Sequence, residues 1–156
     1  MSEVINTASG VAALVKERIS RIKLVDGFST DIGNTMFEGK ILVADEDVPE
    51  GGCVSIIEGV DTVDDRPGKI PNAKVTVRFG MVCYLQCDPD NPTVACHAAI
   101  RDVKKAIFAN RNATFDDQVY LVKYLGKDIG PRADGSNIVM ALVEISVSYV
   151  EDLSNP

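Results

Sequence analysis

At 156 residues and 46% apolar side chains, the chain is sized for one globular domain and is too apolar for wholesale disorder. Its 23 acidic residues against 16 basic ones leave a net charge of −7, which disfavours a partner held through phosphates, because that needs a basic face. The longest apolar run, 138–143, is far short of the ~20 residues that span a bilayer, the opening Met-Ser-Glu lacks the basic region of an export signal, and the cysteines read as reduced thiols.

In chain order, Ile5, Ala8, Ala12, Val15, Ile19 and Ile22 recur at intervals of three and four, which predicts a first helix over 4–22. Ser9-Gly10 weakens its early part, since glycine in a helix interior costs up to ~1 kcal/mol. Residues 26–34 read as a loop, and 35–43 as a strand containing a glycine, the mark of a bulge or a close backbone approach. The acidic, turn-rich 44–52 leads to a short β-branched strand, 53–57. Residues 58–73 lack apolar periodicity and are predicted as one long, functional connection.

The next strand, 74–86, alternates almost throughout. Val75, Val77, Phe79, Met81, Cys83 and Leu85 share one face; Lys74, Thr76, Arg78, Gly80, Tyr84 and Gln86 share the other, with Val82 as an apolar intruder. Turn formers from Cys87 stop it, and Asn91 or Asp90 is placed to cap a helix that has Pro92 at its first position. Cys96, Ala99, Ile100, Val103 and Ile107 give that helix an apolar stripe able to lie across the strand. A polar stretch, a strand at 119–125 and a second Gly/Pro/Asp-rich loop at 126–137 follow. The final strand, 138–150, puts Val139, Ala141, Val143, Ile145, Val147 and Tyr149 on one face. Ile138, Met140 and Leu142 make its other face apolar too, before Glu144, Ser146 and Ser148 make it polar. Its first half is therefore expected to be covered on both sides, with a second subunit as a candidate cover. The order α-β-β-β-α-β-β predicts an α+β fold: one domain over 1–156, two helices packed on one face of a largely antiparallel β-sheet of about five strands.

Chemistry is sparse. Cys83, Cys87, Cys96 and His97 supply atom types that zinc accepts. Yet Cys83 points to the predicted core, and Cys96 and His97 stand about a hundred degrees apart on a helix, so buried thiols are the preferred reading. His97 is the only histidine, and no nucleophile signature surrounds it. The acidic loop Asp61, Asp64, Asp65 and Arg66 lacks the ligand spacing of a calcium loop and reads as solvated or subunit-contacting. Arg18, Arg21 and Lys23, like Arg101, Lys104 and Lys105, are expected on solvated helix faces. No phosphate-binding glycine motif is present. No catalytic, cofactor-binding or metal-ligating residue is assigned.

Four stretches carry a resemblance: EGVDTVDDRPGK (58–69), CDPDNPTVACHAAIRDVKKAIF (87–108), the run from Tyr124 to Pro156, and the N-terminal amphipathic helix. Together they resemble tail terminator (tail completion) proteins of long-tailed bacteriophages and prophages; the cysteines and His97 are not part of the likeness. The resemblance implies an α+β subunit that forms a ring, commonly a hexamer, which caps the finished tail tube, stops its polymerisation and offers a surface to the head connector. It implies no enzyme activity and no cofactor, and a place in the virion tail after assembly in the host cytoplasm. The expected partners are other copies of the chain, the tail tube protein and the head–tail connector, with no direct nucleic-acid binding and no membrane. Candidate interaction residues come from the two loops and the last strand: Asp61, Asp64, Asp65, Arg66, Lys127, Arg132, Asp134, Ile138, Met140 and Leu142. Simple winding would put loops 58–73 and 126–137 at opposite ends of the sheet. A head-completion or neck connector protein, or a small metal-binding or hydrolytic domain, are the alternative readings.

Overall fold

In the computed structural model, which describes residues 5–64, 71–111 and 113–156, two long strands form the centre of the fold. Strand β3 (Asn72–Gln86) pairs antiparallel with β5 (Ile138–Asp152) along its whole length, from Asn72 opposite Asp152 to Gln86 opposite Ile138. This register sets the apolar face of β3 beside that of β5: Val75 opposite Tyr149, Phe79 opposite Ile145, Met81 opposite Val143, all buried. Burying a residue of this size contributes about 1.5–3 kcal/mol, so this double row is the fold's main apolar asset.

The remaining strands extend the sheet to the order β1-β2-β3-β5-β4, with β1 (Met36–Glu38), β2 (Cys53–Val63) and β4 (Leu121–Ile129). Only the β1–β2 pair is parallel; the rest are antiparallel. Helix α2 (Pro92–Ile107) lies across β3 and β5, and α1 (Ala8–Ser20) packs beside it. The predicted α+β architecture is present.

Both helices follow their stripes. In α2, Cys96, Ala99, Ile100, Val103 and Ile107 are buried, and Pro92 occupies the first turn. Asn91 takes the N-cap position without a side-chain bond; the preceding turn is held instead by Asp88, whose side chain accepts the Asp90 N–H at 3.0 Å. Helix α1 begins at Ala8, later than expected, because the Thr7 hydroxyl caps it by accepting the Gly10 N–H at 2.9 Å. Gly10 thus sits in the first turn, where its interior cost does not apply. Ile5 instead bridges to Val150.

Three boundaries differ from the alternation. The strand predicted over 35–43 is cut to Met36–Glu38, because Gly39 takes φ +70° and turns the chain off the edge. Residues 41–48 then cross the sheet face opposite the helices, burying Val43 and Val48 against Cys53, Val82 and Tyr84, with Ile138, Met140 and Leu142 packed around them. The two-sided apolar start of β5 is therefore covered, in part, by the chain itself. Strand β2 runs on to Val63 across a register shift between Glu58 and Asp61, and β4 runs from Leu121 to Ile129 across a shift between Tyr124 and Gly126.

Polar groups fasten the periphery. Asp102, buried in α2, accepts from the Ser29 N–H and from the Thr30 hydroxyl at 2.7 Å, tying the 26–34 loop to the helix. Arg18 is not on a solvated face: it is 3% exposed, donates to Asp116 at 3.0 Å and lies over the Phe115 ring. Phe115, Asp116 and Asp117 all have positive φ, which costs roughly 1 kcal/mol per non-glycine residue. The Arg18–Asp116 pair, with its carboxylate largely exposed, offsets less than about 1 kcal/mol of that. Phe115, fully buried in the main core, supplies the rest. Phe115→Ala is expected to cost about 3–5 kcal/mol in urea unfolding, and Asp116→Ala less than about 1 kcal/mol; equal effects would show that the ion pair, not the ring, holds this turn.

Candidate functional site

The strand directions place two connections at opposite ends of the sheet. Strand β2 enters the 64–71 connection at the end where β5 finishes, and β4 enters the 130–137 connection at the end where β3 finishes. The strand ends that flank the two predicted loops thus lie as simple winding expects; residues 65–70 of the first loop fall outside the described residues, and 58–63, 72–73 and 126–129 belong to strands instead.

Asp61 lies within β2, exposed, opposite Val77. Asp64 follows the strand and donates its N–H to the Lys74 carbonyl at 3.0 Å. Asp65 and Arg66 fall outside the described residues. At the other end, Arg132 donates to the Ser136 carbonyl and Asp134 is exposed. The Ser136 hydroxyl donates to Asp45 at 2.8 Å, joining this connection to the crossing segment 41–48. Lys127 sits apart from both, on β4 opposite Val143, beside a shallow cleft under α2. Ile138, Met140 and Leu142 are half-buried under the crossing segment. The eight described candidates therefore form two end groups, one side-cleft residue and one internally packed row.

The cysteines and His97 do not converge. Cys83 and Cys96 are fully buried in the core, Cys53 is buried on the opposite sheet face, and Cys87 is half-buried. Burial pushes the Cys53, Cys83 and Cys96 thiols up from their ordinary range, because the thiolate would lose its hydration. His97 is exposed, in a cleft whose described lining is Ile100, Arg101, Lys104 and Lys127, without a nucleophile or a carboxylate among them. Among the described residues, no group of three or more His, Cys, Asp or Glu side chains is placed to hold a metal ion. No helix among them is long and apolar enough to cross a membrane.

The sheet face opposite the helices divides in two. Its lower half, toward Gln86 and Ile138, is apolar and covered by 41–48. Among the described residues its upper half is uncovered and forms a groove of about 570 Å³ that includes Lys74, Thr76, Arg78, Lys123, Ser146 and Ser148. Neighbouring strands bring these together: Thr76 faces Ser148 with hydroxyls 2.8 Å apart, and Arg78, Ser146 and Lys123 form the next row. Sequence reasoning assigned no role to this groove. The alternation of β3 and β5 supplies each polar face, but only their register joins them.

No family model matches the chain, and no curated protein matches it significantly. Function has to be argued from these surfaces.

The thiols give a direct check on the packing. In native protein a thiol-specific disulfide reagent at pH 8 is expected to titrate Cys87 alone, with Cys53, Cys83 and Cys96 reacting only after denaturation; rapid reaction of Cys83 in the folded chain would contradict its place in the core.

Proposed function

We propose that the chain is a structural subunit of a bacteriophage tail, forming a ring, most simply of six copies, that ends tube polymerisation and joins the tail to the head connector. The observation that carries this reading is that the chain passes from β2 to β3 at one end of the sheet and from β4 to β5 at the other. A tail terminator has two different partners, one on each side of a ring. Subunits arranged with their strands near the ring axis would offer one connection to the tube and the other to the connector. The second support is the resemblance of 58–69, 87–108 and 124–156 to that family. On this reading the partners are further copies of the chain, the tail tube protein and the connector, and the place of action is the virion.

A head-completion or neck protein would share the ring and the two-ended design. The two readings separate on what the ring binds, since a terminator binds tube ends and a neck protein binds the portal side.

Purified protein added to polymerising tail tubes is expected to halt growth and leave capped ends. Asp64→Lys and Arg132→Glu, which reverse one charge at each end, are expected to impair different junctions: one yields overlong tubes, the other tails of normal length without heads. Tails of normal length lacking heads from both variants would contradict two-ended use of the sheet. Unlimited growth with wild-type protein present would contradict the terminator reading itself.

A further inference from the structure

We propose that the bare upper half of the second sheet face receives the acidic crossing segment of a second copy of this chain. The proposal deepens the ring reading and rests on it only for closure of the assembly.

In a chain of net charge −7, this groove departs from the prevailing sign. Arg78 and Lys123 are exposed and make no ion pair among the described residues, while Lys74 lies over the Tyr120 ring at 4.0 Å. Asp64 and, on the neighbouring row, Glu144 are the carboxylates that face them. Among the described lining residues three cations stand against one carboxylate, Asp64, and hydroxyls fill the floor. The rim is apolar: Tyr120 is 51% exposed and Leu125 40%.

The crossing segment has the complementary character. Asp45, Glu46 and Asp47 are consecutive and exposed, and Ile41 and Leu42 beside them are 70% and 77% exposed. Acid next to aliphatic on one surface therefore matches base next to aliphatic on the other. The segment is also held before any contact. Val43 and Val48 are buried beneath it, the Tyr84 hydroxyl donates to the Ile41 carbonyl at 2.6 Å, and Ser136 binds Asp45. Docking would then order little that is not already ordered.

Placement forces the contact to be between copies. Segment and groove lie on the same face at its two ends, so one molecule cannot join its own pair. When one copy's segment enters another's groove in a head-to-tail contact, the first copy keeps a free groove and the second a free acidic segment. Such a heterologous contact continues from copy to copy until a rotation closes it into a ring.

Reciprocal charge reversal, read by light scattering coupled to size exclusion, tests this. A groove variant (Arg78→Glu with Lys123→Glu) and a segment variant (Glu46→Lys with Asp47→Lys) are each expected to be monomeric where wild-type protein is oligomeric. Mixed one to one, they are expected to regain the wild-type mass, because each then meets its opposite charge. Recovery on mixing also shows that both variants are folded. Wild-type assembly should require roughly tenfold more protein at 0.5 M than at 0.05 M salt, as exposed charges are screened. Separate variants that keep the wild-type mass would overturn the proposal while leaving the ring intact through another surface. A wild-type chain that is monomeric at every concentration would overturn the proposal and the ring reading together. Wild-type binding to a short DNA duplex, lost in the groove variant while its mass is unchanged, would assign the groove to phosphate instead.

Discussion

Everything in this fold depends on the register between β3 and β5. Side chains alternate across a strand, so a slip of one residue would turn Val75, Phe79 and Met81 away from α2 and bring Lys74, Thr76 and Arg78 into the core. With fifteen residues in each strand held in continuous register, that error is costly at every row. The helices do not choose the arrangement. They cover the face that the two strands already present.

The same register produces the second face and its two halves. Residues of β3 and β5 that miss the core are apolar near Gln86 and Ile138 and polar near Lys74 and Ser148. The chain covers the apolar half with its own segment 41–48, and among the described residues the polar half stays open. Connections to other elements leave from both ends of the strands. One sheet thus supplies a covered core face, a cationic patch, an acidic projection and two separate ends.

The core was legible because long, unbroken alternation names its own face. All six predicted inward residues of β3 and all six of β5 are buried. Strands with bulges were not legible to their ends. In β2, Val54, Ile56 and Glu58 share the helix-side face before the register shift, but Asp61 and Val63 share it afterwards, so the alternation changes phase midway. A pattern search reads that change as irregular loop. The shift in β4 between Tyr124 and Gly126 hides Lys127 and Ile129 in the same way. Strand β1 was overread because Lys40 to Val43 suit a strand by composition, while Gly39 at positive φ directs them across the sheet. Of the candidate site, the two ends were legible from turn-rich composition, whereas the groove was not. Its residues come from separate strands, and no local window contains them.

Direct imaging of the purified protein is the most telling measurement, since an assembling subunit of this size is too small to see alone and conspicuous as a ring. Negative-stain electron microscopy is expected to show closed annular particles of uniform copy number with an axial hole. A field without annular particles, at concentrations where the chain is folded and with tail tubes present, would contradict the proposed ring.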